Sequence, residues 1–259
     1  MTVSDMHGHY IDIPVSEGPG SIVVREGFFR RLIVAGAPVE TPTGPNAAAP
    51  NSAGQRPLSY VERPGALHLV LHTGTSAEIT AILLPGASGS LDIDADIAGE
   101  GCSLDFRCLC ISSADARLSV NTRVLHRMGN STSRQEINCI ASDTSRISFN
   151  GTVTVAPGAD GTDAGQLSRG ILLSPQASVQ TEPQLEIYAD DVKCSHGTSI
   201  GRPDETGLFY MRSRGIPLKE AEVLQLLSLA APVLDGVPDP AERTRLETAV
   251  EEAIRNSLQ

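Results

Sequence analysis

The sequence predicts an all-β core of stacked short strands followed by a C-terminal helical tail. Three observations predict it. Strand-like runs begin near Leu67, Glu78, Leu91, Leu104, Leu118, Arg134 and Ile147, about 11 to 16 residues apart, with Gly, Ser, Asp or Pro at the joins. Leu91, Ile93, Ala95 and Ile97, and again Leu118, Val120, Thr122 and Val124, alternate with polar residues, the period of a half-buried strand. Beyond Pro203 the apolar period lengthens to that of a helix. Regular short strands suit a sandwich, a barrel or a solenoid. Hairpin signals are scarce, and two strands per coil would make a turn of roughly 26 residues, which suits a flattened parallel β-helix of two facing sheets.

Along the chain, residues 1–65 read as an irregular segment. SIVVREGFFRRLIVAG (residues 21–36) leaves one or two edge strands or a short helix open, and TPTGPNAAAPNSAGQRP (residues 41–57) has no apolar period and reads as a linker. Residues 66–201 form the strand core and residues 202–259 the helical domain. In the latter, Leu208, Phe209 and Met211 make an apolar cluster, and Gly215 followed by Pro217 stops one helix and starts another. The second helix places Ala221, Leu224, Leu227, Ala231 and Leu234 on one face. Asp239, Pro240 and Glu242 supply the N-cap, first-position proline and capping box of a third helix, whose Leu246, Val250, Ile254 and Leu258 form a stripe. These stripes serve to cap the open end of the solenoid, to dock a partner, or both.

A chain of 259 residues is long enough for a sizeable core, yet aromatics are 3% and Trp is absent. The interior must therefore be filled by Val, Ile, Leu, Ala and Cys. A net charge of −11 argues against a nucleic-acid partner and against docking on an anionic membrane. No apolar run reaches the length of a spanning helix and the N-terminus carries no basic-then-apolar leader, so the expected compartment is cytoplasmic. Five cysteines at irregular spacing do not form a disulfide framework. Cys108 and Cys110 continue the face of Leu104 and Phe106, Cys139 lies between Ile137 and Ala141, and Cys102 opens a strand. All four read as small buried hydrophobes, with metal binding by Cys108-x-Cys110 the lesser alternative.

The densest information lies in DVKCSHGTSIGRPDETGLFYMRSRG, residues 191–215. Cys194 and His196, two apart on a strand, project from one face, and a thiol beside an imidazole can hold iron, zinc or copper(I). The thiolate is the ligand, and Lys193 and His196 are placed to lower its pKa. Two donors fall short of the four a cluster commonly takes, so the rung is expected to present them outward, to be completed by a neighbouring molecule. Weaker candidates are His7 with His9, His68, His72 and His126, Arg212 and Arg214, and the acidic row Asp92, Asp94 and Asp96.

Three segments, FNGTVTVAPGADGTDAGQ (149–166), ILLSPQASVQTEPQLEIYADDVKCSHGTSIG (171–201) and LFYMRSRGI (208–216), resemble in order the SufB/SufD family, scaffold proteins of the SUF iron–sulfur cluster assembly system. The likeness runs from about Thr132 to the C-terminus. Cys-Ser-His-Gly at 194–197 is similar to the D-type. The B-type carries Glu-His-Glu there, with its second glutamate at Gly197, and a cysteine at the position of Ser168. The resemblance implies a right-handed parallel β-helix acting as a non-catalytic scaffold that helps build or transfer a transient iron–sulfur cluster. It implies Cys194 and His196 as cluster-binding residues at a scaffold–scaffold interface. The implied partners are SufC, an ABC-type ATPase docking on Leu208, Phe209, Met211, Leu224 and Leu227, and a SufB-like scaffold or a second copy in a homodimer. Reduced flavin is linked to the family, but no flavin motif is present. Typical D-type scaffolds are longer and begin with a helical domain that is not seen here.

The signatures of phosphate-binding loops, dinucleotide folds, nucleophile elbows and zinc proteases are missing, so ATP hydrolysis is expected in a separate subunit. Two alternatives remain: a carbohydrate-active β-helix enzyme using Asp92, Asp94 and Asp96, and a purely structural interaction module.

Overall fold

The computed structural model describes residues 21–24, 28–35 and 65–259. Strands β1 (Ser21–Val24), β3 (Gly65–Leu71), β5 (Gly89–Ile97), β7 (Arg117–His126), β9 (Arg146–Val155) and β11 (Ser178–Ile187) form one sheet in that order. Strands β2 (Phe28–Ala35), β4 (Ser76–Leu83), β6 (Ser103–Ser112), β8 (Thr132–Ala141), β10 (Asp163–Leu172) and β12 (Lys193–Gly201) form the other. We call these the odd and even sheets. Every pairing is parallel, as in β6 on β8 and β7 on β9. The chain therefore winds from sheet to sheet as a β-solenoid, and the sandwich and barrel alternatives fall away.

The turn is longer than the spacing suggested. Stacked serines Ser119 and Ser148 are 29 residues apart, and Thr154 and Glu186 are 32 apart. The segment that left strand and helix open supplies β1 and β2, which extend both sheets ahead of residue 65. The His7–His9 pair and the Pro-rich tract of residues 41–57 lie outside the described residues.

Alternation explains the core. Leu91, Ile93, Ala95 and Ile97 of β5, and Leu104, Phe106, Cys108 and Cys110 of β6, all turn inward and are buried. Each aliphatic side chain so removed from water contributes about 1.5–3 kcal/mol. With few aromatic rings available, Phe106 and Phe149 are the largest wholly buried side chains. Coil corners turn through left-handed residues such as Asp143 (φ 53), whose carboxylate accepts from the Ala114 N–H of the preceding coil at 2.8 Å.

Helices α1 (Glu205–Ser213), α2 (Leu218–Leu234) and α3 (Pro240–Ser257) follow. Asp204 caps α1 by accepting from the Thr206 and Gly207 N–H groups, and Asp239 caps α3 by accepting from Glu242 N–H at 2.8 Å. Gly215 (φ 88) ends the first helix, and Pro217 precedes the second.

The helices do not close the end of the solenoid. Val223, Leu226, Leu229, Ala230 and Val233 of α2 pack with Leu246, Val250 and Ile254 of α3 against Ile82, Leu109, Ile111 and Ile140, on the outward face of β4, β6 and β8. Asn138 locks this flank by donating to the Leu229 carbonyl at 2.9 Å. The third-helix stripe stands as read. The face chosen for α2 does not: Ala221 and Leu234 are buried, but Leu224 and Ala231 are exposed. That helix is apolar nearly all round, so several stripes compete and only the sheet decides between them. Among the described residues, no helix is long and apolar enough to cross a membrane.

Candidate metal site at the last coil

Strand β12 lies on β10 with Cys194 opposite Ala164 and His196 opposite Gln166. Ala164 and Gln166 are inward and buried, so the two donors extend two interior columns, Leu104–Ser133–Ala164–Cys194 and Phe106–Gln135–Gln166–His196. They share one face, as the period of two requires. That face is the inner one, however, rather than the outer one expected. His196 is nonetheless exposed, because β12 is the last strand of the even sheet and no described strand is stacked beyond it. Strand β11 ends the odd sheet in the same way. Between them lies an open cleft of about 430 Å³, walled by Thr181 and Pro183 on one side and His196 and Thr198 on the other.

Cys194 is half-buried and packs against the core. Burial pushes its thiol up, reinforced by the Asp163 carboxylate and opposed by a hydrogen bond with the Ala164 backbone. The lowering expected from Lys193 and His196 is therefore overturned: at neutral pH the group is a thiol, and a metal must displace its proton. His196 has no hydrogen-bond partner among the described residues. No group of three or more His, Cys, Asp or Glu side chains among them is placed to hold a metal. The chain offers two donors at this rung, soft sulfur and borderline nitrogen, with room for more from outside.

Residues 40–228 match the family model described as SUF system FeS cluster assembly, SufBD core domain. The chain belongs to the SufBD family. It is 36% identical over 171 residues to the iron-sulfur cluster assembly protein SufD of Escherichia coli (strain K12), covering 66% of this chain and 40% of that protein. It is 37% identical over 132 residues to the chloroplastic protein ABCI7 of Arabidopsis thaliana, covering 51% of this chain and 27% of that one. With SufD of Bacillus subtilis (strain 168) the figures are 29% over 160 residues, 62% and 37%. The chain thus spans between 27% and 40% of the length of these curated relatives.

In this SufBD chain the other candidate residues have structural partners or none. The Cys108 and Cys110 sulfurs are 3.7 Å apart and wholly buried; the Cys110 thiol is held well above its ordinary value by hydrogen bonding with Cys108 and by burial, against a lowering from Cys139, and the Cys139 thiol by hydrogen bonding with Cys110 and by burial. They act as core. Cys102 is also buried, its thiol donating to the His72 carbonyl at 3.1 Å. The His126 ring, 2.9 Å from the Ser133 hydroxyl, is lowered to about 4 by burial. On the outer odd sheet, Asp92 accepts from Asn121 at 2.7 Å, Asp94 is gripped by Arg123, and Asp96 pairs with Arg127 at 2.7 Å. All three carboxylates of this row are thus engaged by neighbouring side chains. Neither Arg212 nor Arg214 forms an ion pair among the described residues, and Arg214 lies over the Tyr210 ring.

Of the tail residues marked for docking, Leu208 is buried, Met211 is half-buried, and Leu227 is half-buried and packs into the helix–sheet core. Phe209 and Leu224 are exposed, by 73% and 46%. Sequence reasoning missed the polar interior beneath the site, where Gln135, Gln166 and Ser168 are buried with unpartnered side-chain atoms. A signal was present: Gln166 and Ser168 sit at the same parity as Ala164, two and four residues on.

Proposed function

We propose that this chain is a non-catalytic scaffold subunit of a SUF-type assembly complex, and that a nascent iron–sulfur cluster is its cargo. Cys194 and His196 supply two of the cluster ligands, and a second scaffold, either a SufB-like chain or another copy of this one, supplies the rest. One observation carries the reading: in a SufBD chain, the Cys-x-His pair stands on β12, which with β11 forms the C-terminal edge of the described solenoid. Such edges are templates for pairing with another chain. Partner strands laid along β11 and β12 would bring further donors to the cleft.

ATP hydrolysis belongs to a separate SufC-like ABC ATPase. Its docking falls to Phe209 and Leu224 with Met211 beside them, because Leu208 and Leu227 are engaged in packing. Five free thiols fit a reducing compartment, the cytosol. The deciding experiment is anaerobic reconstitution with iron and sulfide of the wild-type chain and a Cys194→Ala/His196→Ala variant, each co-expressed with the ATPase. The variant should lose its visible absorption and bound sulfide while keeping the ATPase; an undiminished spectrum refutes the reading.

A further inference from the structure

We propose that Gln166 is a positioning residue for His196. The inference rests on the reading of His196 as a ligand and adds the group that orients it. Gln166 pairs with His196 across β10 and β12, so both side chains leave the same face of neighbouring strands about 4.8 Å apart. The residue is 4% exposed, and neither Nε2 nor Oε1 has a partner. Gln135, one coil further in on β8, repeats the arrangement: buried, in register, both amide atoms unpartnered. Across the interior, a Cβ on Gly151 would collide with the Phe149 ring and come within 2.6 Å of Gln166 Nε2, so the bare glycine leaves room for both side chains.

Buried polar atoms rarely stay unpaired, and four in one column require an explanation. An imidazole that binds metal through one nitrogen needs an acceptor for the N–H of the other. A carboxamide offers both an acceptor and donors, and identical amides on stacked parallel strands form ladders. Side-chain rotation from the unbonded arrangement would let Gln166 Oε1 accept from the His196 ring N–H and Gln166 Nε2 donate to Gln135 Oε1. The ladder thereby fixes which ring nitrogen of His196 is left to face the cleft and Cys194.

The test uses the full chain, free of metal, with 15N-labelled histidine. Long-range 15N–1H correlation spectra should show His196 in one neutral tautomer, and Gln166→Leu should give the mixture of a free imidazole. Co(II), as a spectroscopic probe, should bind about 10–100-fold more weakly to Gln166→Leu. Gln166→Glu keeps the acceptor and should keep most of the affinity. In a His196→Ala background, Gln166→Leu should cause no further loss. An unchanged tautomer in Gln166→Leu, or an equal loss in both backgrounds, overturns the proposal. If His196→Ala alone leaves Co(II) binding intact, the ligand reading has failed and the tautomer alone decides the Gln166 contact. Should Gln166→Leu not fold, Gln166→Asn shortens the reach by one methylene and is read in the same way.

Discussion

Replacing Ile140 by Ala tests how the helical tail is attached. Ile140 is fully buried, on the outward face of β8, among Leu226, Val233 and Val250. The substitution removes three carbons, about 2.4 kcal/mol at ~0.8 kcal/mol per buried methylene. The cavity left between helix and sheet raises the total to about 3–4 kcal/mol. For a domain of this size the thermal midpoint should fall by about 6–15 °C. Urea unfolding followed by circular dichroism reads the loss, and hydrogen-exchange mass spectrometry reads its place. Ile137→Ala, on the same strand but inside the solenoid, is the control. It should cost a similar amount while leaving α2 and α3 protected, whereas Ile140→Ala should release them first. A loss below about 1 kcal/mol for Ile140→Ala, the range of an exposed site, would refute the flank packing and return the helices to the role of an end cap.

Further outcomes can be checked. Iodoacetamide should label Cys194 alone in the native protein and all five cysteines after unfolding, and labelling of Cys194 should quicken as pH rises, since burial holds its thiol above the ordinary value. His126, held at about 4, stays neutral in the fold while the unfolded chain protonates near 6.5. The unfolded state then binds more protons, so stability present above pH 6.5 should drain away as pH falls towards 4, by at most about 3 kcal/mol. His126→Gln should flatten that slope in urea midpoints taken at pH 7 and pH 5. Gly151→Ala should destabilise by about 1–3 kcal/mol through collision with the Phe149 ring and with Gln166, and Gln166→Ala should recover only the part due to the amide; no recovery would assign the whole clash to Phe149.

The strands and their inward faces were legible because the period of two is local: Leu91 to Ile97 and Leu104 to Cys110 announce their burial without reference to any partner. The coil was less legible, because parallel stacking joins residues about 30 apart and leaves no hairpin signal. Burial of Leu109, Ile111, Asn138 and Ile140 on the second face of their strands was visible only as runs that broke alternation, and that break marked where α2 lands. For the site, the motif identified the pair and the period put both donors on one face. The period says nothing about which face points inward, and the inward direction depends on β10. The shift of the Cys194 thiol likewise comes from the core and Asp163, which adjacency to Lys193 could not reveal.

The attachment of the tail also bears on how partners combine. Because the helices bury their apolar face on the flank of the even sheet, they leave the β11–β12 end of the solenoid uncovered, and two surfaces on different elements are exposed among the described residues. One is the cleft walled by His196 and Thr198 on β12. The other is carried by α1 and α2 beyond its end, on Phe209 and Leu224. The two surfaces share no side chain, so contacts on them should act independently. Phe209→Ala with Leu224→Ala should thus leave stability within about 1 kcal/mol, each being within about 0.5 kcal/mol, and weaken ATPase capture without changing scaffold pairing. A charge placed on the β12 edge, Thr198→Lys, should do the reverse. Sedimentation of each variant with and without the ATPase separates the two, and a tail variant that also abolished pairing would show that the surfaces are one.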